Sequence, residues 1–224
     1  MLPFNESDYS RIFAIGDIHG ESKTLKDLLA LIEPSKNDLL VFLGDYINRG
    51  SDSKGVIDTL LALKTTTNCR FIMGNHDEML LAALSGGNDN IKFFKKFGQS
   101  TIDSYKLNFE SRNFPRDHAL FFADLEDYVE SDKHIFVHAS VEPLKPMLDQ
   151  DTKALRWTRI SEMRKSSFFP HLSGKHLICG HEADLCVREY DSVTCIDTGC
   201  GLKEGGSLTA FEVKSRKATS VTLV

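Results

Sequence analysis

The chain has 224 residues, 41% hydrophobic and 26% charged, enough for one sizeable domain (1–224) with a real core. A formal net charge of −5 argues against a broad nucleic-acid footprint and against attraction to a membrane surface. Five cysteines without a Cys-x-x-Cys pair, no basic-apolar leader and no apolar run near the roughly 18–20 residues of a membrane span predict a reduced, cytoplasmic protein.

The first predicted strand, Arg11 to Ile15, ends in Gly16-Asp17-Ile18-His19-Gly20. Leu25, Leu28, Leu29 and Ile32 then fall at i, i+3, i+4 and i+7, the apolar stripe of a helix over Glu21–Ile32 that packs on a sheet. A second buried strand, Leu39 to Leu43, runs into Gly44-Asp45-Tyr46-Ile47-Asn48-Arg49-Gly50, followed by a helix over Ser53–Leu63. The third strand, Cys69 to Met73, leads to Gly74-Asn75-His76-Asp77 and a helix over Glu78–Leu84. Successive strand–helix units predict parallel strands, so the three polar clusters at their carboxyl ends converge on one edge.

Residues 91–123 are rich in phenylalanine and read as a mostly helical cap beside that edge, its aromatics assigned to core packing. The second half reads as strands at His134–Val137, His176–Cys179, Val193–Ile196, Ser207–Val213 and Ala218–Leu223 with short connections, hence a second, more antiparallel sheet. The fold predicted is α/β, a two-sheet sandwich flanked by helices.

Four of the eight histidines, His19, His76, His138 and His181, directly follow buried-strand patterns. Taken singly, Asp17-x-His19 is an ordinary turn, Asn75-His76-Asp77 a helix cap, and His138 or His181 a satisfied core histidine. Together, carboxylate, amide oxygen and imidazole suit a divalent ion such as Mn²⁺, Fe²⁺ or Zn²⁺. Asp17, His19, Asp45, Asn75, His76, His138 and His181 are too many such groups for one ion and would suit a pair about 3.5–4 Å apart. His118, His134, His171 and His176 have no comparable context and are left structural.

The three glycine-bounded clusters resemble the signature motifs of PPP-type serine/threonine phosphoprotein phosphatases, within the wider calcineurin-like metallophosphoesterases. Val137-His138-Ala139 and Gly180-His181 resemble the later histidine motifs. Trp157-Thr158-Arg159 resembles the bacterial and phage members' second phosphate arginine, and Ile196-Asp197-Thr198-Gly199 with Gly206 to Ala210 resembles the closing strands. The resemblance spans roughly 11–213. It implies the four-layer metallophosphoesterase fold and a metal-dependent phosphomonoesterase using hydroxide between two ions for in-line attack on phosphorus. By the same resemblance Asp17 and His19 bind one ion, Asp45 bridges, and Asn75, His138 and His181 complete the second. Arg49 and Arg159 then hold phosphate oxygens, and His76 is the general acid.

The first expectation is a protein-serine/threonine phosphatase acting on phosphoproteins or small phosphoesters. The alternative is a symmetrical diadenosine tetraphosphate hydrolase, and a third reading is an impaired phosphatase that binds phosphoproteins. One departure bears on the choice: relatives usually carry aspartate where this chain has Asn48. Asparagine orients His76 without supplying a charge, which predicts weaker assistance to alkoxide leaving groups. Ser140 and Glu182-Ala183 also depart from the resemblance, at the rim of the expected groove.

Overall fold

The computed structural model describes residues 3–163 and 171–223. The strands are β1 (Ile12–Ile15), β2 (Leu39–Phe42), β3 (Asn68–Phe71), β4 (Tyr128–Glu130), β5 (His134–Val137), β6 (His176–Cys179), β7 (Arg188–Tyr190), β8 (Val193–Cys195), β9 (Ser207–Glu212) and β10 (Lys217–Thr222). The α-helices are α1 (Ser22–Ile32), α2 (Ser53–Leu63), α3 (Asn75–Ser85), α4 (Asn88–Phe97), α5 (Gln99–Tyr105), α6 (Arg116–Ala123), α7 (Thr152–Trp157) and α8 (Ile160–Met163).

Two five-stranded sheets form, in the orders β10-β9-β1-β2-β3 and β4-β5-β6-β8-β7. Alternation along β1 explains the layering. Ile12 and Ala14 point into a core shared with Phe136 and Ile178 of the other sheet, while Phe13 and Ile15 pack beneath Leu25 and Leu28 of α1. A third cluster seals the second sheet's outer face with Leu155 of α7 and Ile160 of α8. The result is four layers, helix–sheet–sheet–helix, as the α/β sandwich expectation required.

Two details differ from the sequence reading. The β9–β10 hairpin does not join the second sheet; β9 lies antiparallel to β1, with Ala14 opposite Phe211. The centre of the second sheet, β5-β6-β8, is parallel, and only β4 and β7 at its edges run antiparallel. Short apolar runs report burial but not which sheet receives them. The consequence is functional, because β1, β2, β3, β5, β6 and β8 all bring carboxyl ends to the polar clusters. Among the described residues, no helix is long and apolar enough to cross a membrane.

Candidate metal centre and phosphate pocket

Loops at the strand ends interlock through the backbone. Ile18 and His19 N–H groups donate to Asp45 O at 3.1 and 2.8 Å, joining the β1 and β2 loops. Asp77, fully buried, accepts from the N–H groups of Asp45 (2.8 Å), Tyr46 (3.2 Å) and Gly74 (3.0 Å), tying the β2 loop to the start of α3. That helix begins at Asn75, three residues earlier than its apolar pattern predicts, so Asn75 and His76 occupy its first turn. Contact here is so close that a Cβ on Gly74 would lie 2.1 Å from Asp45 Oδ1, and one on Gly180 2.1 Å from Asp17 Oδ1.

Backbone strain concentrates at the same edge. Among the described residues nine non-glycines have positive φ, and five of them are His19, Asp45, Asn48, Arg49 and His181. Such conformations cost of order 1 kcal/mol or more each and persist where the surroundings over-determine them.

Three imidazoles have their tautomers set by carbonyls, which can only accept. His19 Nδ1–H donates to Ile47 O (3.0 Å), His138 Nδ1–H to Leu43 O (2.9 Å) and His181 Nε2–H to Trp157 O (3.1 Å). The opposite nitrogens therefore present lone pairs. Asp45 Oδ2 sits 3.6 Å from both His19 Nε2 and His138 Nε2, while its Oδ1 accepts from His76 N–H at 2.9 Å. Asn75 Oδ1 lies 3.0 Å from His138 Nε2 and 3.1 Å from His181 Nδ1. Asp17 completes the cluster, accepting from His181 N–H at 3.2 Å.

This is a buried convergence of acceptors. Burial pushes His19 down to about 3 and His181 to about 4, and lowers His138. Burial, then Asp197 and Asp45, pushes the Asp17 carboxyl well above the usual range. Burial alone would raise Asp45 too, but the surrounding imidazoles, His138 foremost, hold it below the ordinary carboxylate range. Neutral imidazoles aimed at carboxylate and amide oxygens, each oriented by an outer carbonyl, fit divalent cations. Two overlapping groups meet that description, His19/Asp45/His76 and Asp45/His138/His181, with Asp45 common to both. The first includes His76 by proximity, although its Nδ1 is engaged by Asn48.

Asn48 Nδ2 lies 2.8 Å from His76 Nδ1, and Thr101 Oγ1–H donates to Asn48 Oδ1 at 2.7 Å. The Asn48 N–H reaches both Thr101 Oγ1 (2.9 Å) and Ser53 Oγ (3.1 Å), and those two hydroxyls are 2.9 Å apart. With its oxygen occupied by Thr101, the carboxamide presents its NH₂ to His76, whose own proton then resides on Nε2. Burial lowers the His76 pKa further, with Asp45 opposing.

The mouth of the site is a cavity of about 410 Å³ lined by His19, Asp45, Arg49, Asn75, His76, Arg159 and His181. Arg49 Nε also donates to His19 Nε2 at 3.3 Å. All ten residues singled out from sequence thus gather at one edge, Asp17 and His138 behind the cavity wall and Asn48 behind His76. Glu182 and Ala183, expected at the rim of the groove, do line it, whereas sequence reasoning left Asp197, Leu202 and Lys203 of the same lining without a role. Asp197 carries the signal used for the other ligands, a carboxylate after a buried strand; burial raises it to about 6. Lys203, whose Nζ donates to Ala183 O at 2.8 Å, carries no such signal. Nor do Thr101 and Asp77, which act through Asn48 and the loops.

A four-layer sandwich with this donor set at one edge defines a metallophosphoesterase. The chain belongs to the calcineurin-like phosphoesterase family, whose model matches residues 10–185. It is 36% identical over 135 residues to a symmetrical bis(5'-nucleosyl)-tetraphosphatase of Buchnera aphidicola subsp. Schizaphis graminum, covering 59% of this chain and 45% of that protein. The chain thus spans less than half the length of such tetraphosphatases. It is 26% identical over 219 residues to serine/threonine-protein phosphatase 2 of Escherichia coli K12, covering 94% and 96% of the two chains. A solved structure described as a candidate diadenosine tetraphosphatase shares the fold, with a TM-score of 0.72 at 23% identity over 99% of this chain and 96% of that one.

Proposed function

We propose that the protein, acting as one catalytic domain over residues 1–224, hydrolyses phosphoanhydrides of dinucleoside polyphosphates. The observation that carries this reading is the 2.8 Å contact of Asn48 Nδ2 with His76 Nδ1. A carboxamide there leaves His76 a neutral imidazole, a hydrogen-bond donor through Nε2 but a weak acid. A serine alkoxide is strongly basic and needs a proton as it departs. A nucleoside diphosphate departs through a phosphate oxygen whose conjugate acid has a pKa of about 6, so a hydrogen bond suffices. This favours the tetraphosphatase alternative over the phosphoprotein phosphatase first expected, and agrees with the name of the Buchnera relative.

In this reading Asp17, His19, Asp45, Asn75, His138 and His181 hold two divalent ions, which supply Lewis-acid charge and lower the pKa of water. Arg49 and Arg159 grip the equatorial oxygens as charge spreads over them. Water's oxygen bonds to phosphorus as its proton passes to solvent, the bridging P–O bond breaks, and its electron pair leaves on the departing nucleotide, which His76 Nε2–H steadies.

Near-complete mutual coverage with the E. coli phosphatase supports phosphoprotein hydrolysis as the second reading. Turnover of diadenosine tetraphosphate, a phosphoserine peptide and 4-nitrophenyl phosphate with Mn²⁺, against chelator controls, decides between them. Preference for the dinucleotide by kcat/KM is expected; preference for the peptide would install the second reading.

A further inference from the structure

We propose that Phe97, with Phe93 beside it, forms an aromatic shelf that takes the flat base of the nucleotide leaving group. The proposal rests on the dinucleoside polyphosphate reading and adds a subsite to it. Phenylalanines of this segment are expected in the core, and Phe94 of α4 is fully buried there. Phe93 and Phe97 are not: they remain 43% and 50% exposed. Spaced i, i+4, they share one helix face, with ring centroids 5.5 Å apart and planes at 68°.

Their position relates the shelf to the reaction. Helix α4 packs on α3, which carries His76 in its first turn. The Phe97 ring stands edge-on to the His76 ring at 6.5 Å. From His76, the group facing the departing oxygen, the two phenylalanines lead outward along α4. A nucleotide has its phosphates at one end and a π-faced base at the other, matching a path from His76 onto the rings. Lys92, Lys95 and Lys96 are exposed on the same helix and complement its negative charge. A serine or threonine leaving group offers no ring to stack.

Equilibrium binding of ADP and of pyrophosphate to the Mn²⁺-loaded protein tests the shelf independently of turnover. Loss of one base–aromatic stack in Phe97→Leu should weaken ADP about tenfold relative to pyrophosphate, and Phe97→Trp should restore the ratio. Phe93→Leu should move it in the same direction by less. An ADP-to-pyrophosphate ratio unchanged across the three variants overturns the shelf, as does wild-type protein binding ADP no more tightly than pyrophosphate. If the protein instead prefers phosphoserine peptides in turnover while ADP binding still depends on the rings, the functional reading falls and the shelf stands.

Discussion

Thr101→Val exchanges a hydroxyl for a methyl group of similar size at a fully buried position, so it opens no cavity. What it removes is the proton donated to Asn48 Oδ1 at 2.7 Å and the acceptor for Asn48 N–H at 2.9 Å. The N–H retains Ser53 Oγ at 3.1 Å, but Asn48 Oδ1 loses its donor and the Ser53 hydroxyl, which donates to Thr101 Oγ1 at 2.9 Å, loses its acceptor. Each such orphan costs roughly 1–3 kcal/mol, and in a chain of this size each kcal/mol lowers Tm by about 2–4 °C. Rotation of the carboxamide offers Oδ1 a new donor only if His76 moves its proton to Nδ1, which strips Nε2 of the hydrogen facing the leaving group. Thr101→Ser keeps the hydroxyl and loses one methyl, worth about 1 kcal/mol. Urea denaturation of both variants, with kcat/KM on a phosphoserine peptide and on 4-nitrophenyl phosphate, separates the effects. Valine should lower the peptide-to-aryl ratio and serine preserve it. Equal losses in both variants, on both substrates, would refute the hydroxyl–carboxamide–imidazole coupling.

Asn48→Asp should raise the peptide-to-aryl ratio roughly tenfold, because a carboxylate favours the imidazolium form of His76; parallel kcat/KM measurements check it. Gly180→Ala places a Cβ 2.1 Å from Asp17 Oδ1 and should weaken metal binding by about 10–100-fold, read as metal stoichiometry after dialysis against graded chelator. At Asp38, burial pushes the carboxyl up, but hydrogen bonds from Arg11 and Ser35 overcome it and bring the pKa down to about 2. A depressed folded-state pKa stabilises above the unfolded value of about 3.9, so this contribution should fade as pH falls from about 4 to about 2. Because Arg11 is 41% exposed, about 1–2 kcal/mol is expected at neutral pH, and Asp38→Asn should flatten the urea-midpoint profile in that acid window.

Sequence by itself determined which residues are available to the centre. Buried runs ending in glycine and then in Asp17, Asp45, Asn75 or His181, or ending directly in His138, mark strand ends, and parallel strands share an edge. Asn48 was legible too, as a carboxamide in place of a charge. Only the tertiary structure decided how these groups are oriented. Leu43 O fixes the tautomer of His138 from 95 residues away, and Thr101 fixes Asn48 from 53 residues away. Periodicity reports burial of a side chain and not its partner, so Asp77 read as a helix cap rather than the clamp between two loops. The same reason hid the partner sheet of the closing hairpin and the outward face of Phe93 and Phe97. Which apolar residue reaches solvent depends on where neighbouring helices stop, and that is settled by packing.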